Sequence, residues 1–103
     1  MNDTKMLVGS LSNDLFRVAS LAQRGSTKAA SRFLQEARRW SDDLKSHDVA
    51  GYIKKLAEDV SSRSDDDISL SSAERYLMYG ILLQNYAVTA FRPRVISKPS
   101  RGT

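Results

Sequence analysis

The sequence predicts an all-α chain folded as an antiparallel four-helix bundle, and three observations carry that prediction. Apolar residues recur at alternating three- and four-residue spacing in four separate segments. Both prolines, Pro93 and Pro99, fall in the last eleven residues, so everything before them is free to be helical. The breaks at Gly25–Thr27 and Ser46–Asp48 are short, which sets successive helices side by side and antiparallel. At 103 residues the chain holds one small domain. Residues 1–91 are expected to form it, followed by a basic, disordered tail over 92–103. The alternative is a three-helix bundle with a loose N-terminal segment.

The first helix is expected after Asn2 or Thr4 and ends at Gly25, a residue suited to a left-handed cap. Leu7, Leu11, Leu15, Val18 and Ala22 form its stripe. Gly9 and the polar residues 10–13 weaken its beginning, so the alternative is a start near Ser12. Asp14 would then sit in a first turn, where the helix dipole welcomes it, or in a frayed one. In the longer helix Asp14 falls inside the apolar stripe and Phe16 on the opposite side.

The second helix starts with Ser26 or Thr27 as its cap and follows Ala30, Phe33, Ala37, Trp40 and Leu44. Lys28, Arg32 and Arg39 form a ridge on its far side, with Glu36 and Asp43 beside them and an Arg32–Glu36 pair at i,i+4. The third helix is expected to use Asp48 as its cap and to bury Val49, Ile53, Leu56 and Val60, ending in the polar stretch 61–67.

The fourth helix opens with a capping box, Ser71 and Glu74. It continues through the sixteen uncharged residues from Tyr76 to Phe91. Leu77, Ile81, Val88 and Phe91 lie on one face, and Tyr79, Leu83, Tyr86 and Ala90 on the opposite one. Gly80 and Ala87 lie on a third side, next to Tyr76, where a neighbouring backbone could approach. The expected core comprises Leu11, Leu15, Val18, Phe33, Ala37, Trp40, Ile53, Leu56, Val60, Leu77, Ile81 and Val88. A helix apolar on two opposite faces needs a second cover. The expectation is a symmetric homodimer centred on Tyr79, Leu82, Leu83 and Tyr86.

Charge is laid out unevenly. Residues 1–90 carry twelve cations and twelve acids, so the net +4 comes from Arg92, Arg94, Lys98 and Arg101 in the tail. From Arg17 to Arg39 six cations face one acid, and from Asp42 to Arg75 nine acids face five cations. The absence of cysteine removes disulfides and thiolate chemistry and fits a cytoplasmic protein. No signal peptide is visible at the start. A sixteen-residue uncharged run with Gln84 and Asn85 inside it falls short of the ~20 residues of a membrane span, so no membrane role is expected.

Reaction chemistry is missing from the pattern. His47 is the only histidine and lies at a helix break. Asp65, Asp67 and Ser69 imitate the opening of a calcium loop, but Leu70 takes the required glycine position and Tyr76 that of the closing glutamate. No catalytic residue, cofactor or metal site is expected. The functional expectation is a non-enzymatic protein–protein interaction module or regulator. The alternative is a nucleic-acid-associated protein whose Lys28, Arg32 and Arg39 ridge works with the cationic tail to contact phosphates.

Overall fold

The computed structural model describes residues 3–91. The tail cations Arg92, Arg94, Lys98 and Arg101, and the expected disorder of the tail, lie outside the described residues. Four helices follow one another: α1 (Asp3–Gln23), α2 (Thr27–Leu44), α3 (Gly51–Ser62) and α4 (Leu70–Ala90). α1 packs against both α2 and α4, and α3 packs against α2. The predicted four-helix bundle is therefore the fold. The three-helix alternative fails because the N-terminal helix, far from loose, is the element between two others.

α1 begins at Asp3 and runs unbroken through Gly9 and Ser12. Packing supplies what propensity lacks: Leu7, Val8, Leu11, Leu15, Val18 and Ala19 are all buried. The helix ends in a Schellman arrangement around Gly25 at φ +81°. The Ser26 N–H donates to the Leu21 carbonyl at 2.9 Å, and the Gly25 N–H to that of Ala22 at 3.0 Å. α2 then starts at Thr27 with Ser26 as its cap residue, although no side-chain cap bond forms. Its core line is Ala30, Leu34, Ala37, Ser41 and Leu44, so Phe33 and Trp40 stand half-buried at the edge of the core.

Two expected caps are displaced. α3 starts from Ala50 rather than Asp48. The Ala50 N–H is instead taken up by the Tyr86 hydroxyl of α4 at 3.2 Å. α4 is capped by Ser69, whose hydroxyl accepts from the Ser72 N–H at 3.0 Å, two residues before the expected Ser71 box. Asp67 fixes this choice, because it accepts from the Ser72 hydroxyl at 2.7 Å while Arg63 holds its other oxygen at 2.8 Å.

α4 meets its two neighbours differently. Against α1 it presents Ala73, Gly80 and Ala87, and the Ser12 hydroxyl donates to the Gly80 carbonyl at 2.9 Å. A Cβ at position 80 would stand 2.9 Å from the Phe16 ring, so glycine is what lets Phe16 lie there. Phe16, expected to point away from the bundle, is therefore a contact residue. Toward α3 the gap is wider and long side chains span it. The Tyr79 hydroxyl donates to Asp59, Tyr52 and Tyr86 meet edge to face at 6.1 Å, and the Arg63 guanidinium lies 5.3 Å from the centre of the Tyr76 ring. Thr4 at the start of α1 bonds His47 at 2.7 Å. The end of α4 lies at Ala50, three residues from His47, so α4 runs antiparallel to α1.

Candidate protein-binding surface

The expected orientation of α4 is inverted. Leu83 is 0% exposed and Tyr76 and Gly80 are buried, while Tyr79, Leu82 and Tyr86 pack against the same core. The residues expected to centre a dimer interface, Tyr79, Leu82, Leu83 and Tyr86, are thus spent on the chain's own interior. Leu77, Ile81 and Val88, expected in the core, are outside. The cause is steric. Two faces of α4 are apolar, but only the side carrying Ala73, Gly80 and Ala87 is thin enough for α1 to approach closely.

That inversion leaves a line of aliphatic side chains in solvent. Leu70, Leu77, Ile81 and Val88 are 69%, 39%, 46% and 61% exposed, and Met78 is exposed beside them. At 100° per residue the four fall within a strip about 40° wide. Glu74 and Gln84 flank the strip, about 40° to either side of its centre line, and both are exposed. Single exposed leucines mean little, but these four are aligned in one row along one helix.

The basic ridge is exposed as expected, though it is less free. Lys28 and Arg32 line a cleft of about 490 Å³ with Thr27, Ser31, Gln35, Asp66 and Ile68. The acidic α3–α4 loop folds onto its wall, where Ser31 donates to the Asp65 carbonyl at 2.6 Å and Gln35 to the Asp65 carboxylate at 2.9 Å. Arg39 lies beyond, in a second cleft with Arg38, Asp42 and Ser61. The Arg32–Glu36 pair does not form among the described residues.

Asp14 departs most from its expected place. It lies mid-helix and 5% exposed, with the Trp40 indole N–H donating to it at 2.9 Å. Burial pushes its carboxyl up to about 6, against the opposing hydrogen bond from Trp40, and the nearby Glu36 adds to the rise. Arg17 stands 4.0 Å away and stacks over the Phe33 ring at 5.4 Å, so it is shared between the two. Asp59 goes the other way. Burial would raise it, but the bonds from Tyr79 and Arg63 prevail and lower it. Asp14 and Trp40 were visible in the sequence separately; their pairing was not, because it needs the register between α1 and α2.

Among the described residues no group of three metal-ligating side chains comes together, and no helix is long and apolar enough to cross a membrane. No family model matches this chain, and no curated protein or solved structure does either. Function has to be read from its own surface.

Proposed function

We propose that this protein is a non-enzymatic docking module that offers the outward face of α4 to a helical partner protein. The observation that carries the reading is the single line of Leu70, Leu77, Ile81 and Val88 left in solvent on a 21-residue helix. Seven- and four-residue spacing is what a second helix reads when it packs at a shallow angle. Three acids support the reading by their engagement. Asp14, Asp59 and Asp67 each serve a tryptophan, tyrosine, serine or arginine of the fold. A photo-crosslinking residue placed at 81 or 88 in cells should give discrete protein adducts, whereas one at Gln35 on α2 should give few. Adducts at 35 with none at 81 and 88 would refute it.

Nucleic-acid binding is the second reading, supported by Lys28 and Arg32, neither of which is ion-paired among the described residues. It has less behind it, because Asp66 lines the same cleft. It requires binding to unrelated DNA or RNA that weakens steeply with salt and drops in a Lys28→Ala, Arg32→Ala variant.

A further inference from the structure

We infer that the helix covering this face is α4 of a second copy of the same chain, running antiparallel about a two-fold axis at residue 79. The inference rests on the docking reading above and adds the identity and direction of the partner.

The outward strip follows positions 70, 74, 77, 81, 84 and 88, with gaps alternating four and three, the seam of a two-helix coiled coil. Its occupants are Leu70, Glu74, Leu77, Ile81, Gln84 and Val88, every one exposed. The series is symmetric about residue 79. Positions 70 and 88, 77 and 81, and 74 and 84 are each equidistant from it. An antiparallel two-fold therefore sets Leu70 against the partner's Val88 and Leu77 against the partner's Ile81. Apolar meets apolar in every layer where either is present.

Direction follows from the one charge in the seam. In a parallel, in-register pair Glu74 would face the partner's Glu74, two like charges taken out of water together. In the antiparallel pair it faces the partner's Gln84, which is neutral and can donate to it. The free flank agrees. Met78 meets the partner's Met78 across the axis, and Ser71 lies near the partner's Asn85, with no charge on either side. The other flank, Ala73, Gly80 and Ala87, is occupied by α1, so the partner helix has only one way to approach. A two-fold contact also closes on itself, and so stops at the dimer.

The 103-residue chain has no cysteine, so single-cysteine variants of it report the pairing without background. Leu70→Cys mixed with Val88→Cys should give the mixed disulfide on mild oxidation. Leu70→Cys alone should not couple, because its two copies lie 18 residues apart along the pair, about 27 Å, beyond any disulfide. Light scattering over a concentration series should show a dimer, and Ile81→Lys should give a monomer of unchanged helicity. Homodisulfides of Leu70→Cys would overturn the antiparallel direction. A dimer that persists in Ile81→Lys would place the contact elsewhere and overturn the inference. A wild type monomeric at every concentration would also overturn it. The docking reading would then survive only if crosslinks at 81 still carry the mass of a different protein, and it would fall as well if they carry none.

Discussion

α2 and α4 are of similar length, 18 and 21 residues, and each carries apolar side chains on more than one side. The sequence orients α2 and leaves α4 open, and the difference is charge. In α2, Lys28, Arg32, Glu36, Arg39 and Asp43 mark the side that must stay wet, so the buried line Ala30, Ala37 and Leu44 follows by exclusion. In α4 nothing from Tyr76 to Phe91 is charged, so solvent forbids no face. What decides is thickness. Close approach of α1 rewards Ala73, Gly80 and Ala87, and the bulkier row of Leu77, Ile81 and Val88 is turned out. Charge orients a helix more decisively than apolarity does.

Truncating the two apolar faces of α4 one at a time separates them by stability. Leu83→Ala empties a site with no solvent access and should cost about 2–5 kcal/mol in urea denaturation. Equal losses for Leu83→Ala and Leu77→Ala, measured on dilute protein, would mean that both faces are core.

The steric claim can be tested at Gly80 itself. Gly80→Leu pushes a branched side chain into the Phe16 ring and should cost about 1–3 kcal/mol despite leucine's better helix propensity. Phe16→Ala in the same chain should recover part of the loss. Additivity of the two changes in a double-mutant cycle would show that Phe16 and residue 80 do not compete for the same space.

How much of the molecule was legible follows from the same distinction. The four helices, the glycine-capped first turn and the α1 and α3 core lines were readable, because spacing, a required positive φ and flanking charge each act locally. In α2, Ala30, Ala37 and Leu44 were read correctly, but Leu34 and Ser41 fill the places expected for Phe33 and Trp40. The α3 cap was missed because Tyr86, far along the chain, takes up the Ala50 N–H, and the α4 cap because Asp67, five residues before Ser72, binds its hydroxyl and favours Ser69 over the Ser71 box. The outward strip of α4 was also within reach of the sequence. Its heptad spacing and the row of small residues beside it were both visible, but nothing local ranked close approach by α1 above burial of the larger side chains.

Asp14 sharpens the contrast from inside the basic half, since it is a charge on the buried side of a helix. Its folded carboxyl titrates near 6 against 3.8 for an unperturbed one. Between those values the native chain holds a proton that the unfolded chain has released. This group's contribution is therefore full below the lower value, lost as pH rises to the upper one, and flat beyond. Asp14→Asn keeps an oxygen for the Trp40 N–H but carries no charge. It should stabilise the protein by about 1–2 kcal/mol at pH 7 and leave it unchanged at pH 4. Breaking the exposed 4.0 Å contact with Arg17 offsets little of that. Urea melts at intervals from pH 4 to 7 check the sign. An Asp14→Asn protein that loses stability relative to wild type as pH rises would mean that the carboxylate is favoured where it lies.

The smallest effect is also the most discriminating. Leu77→Lys and Ile81→Lys place a cation on a row that the fold leaves in water, so the isolated chain has no reason to notice. Each lysine stem can lie along the helix with its ammonium hydrated. Measured at concentrations low enough to keep the chain apart from any partner, both should unfold within about 0.5 kcal/mol of wild type. The same changes at a covered seam would bury an unpaired charge, so the cost should appear only as protein concentration rises, as a lost concentration dependence of the melting temperature. A variant that melts early even when dilute would show that the outward row of α4 supports its own bundle, and the difference between its two faces would disappear.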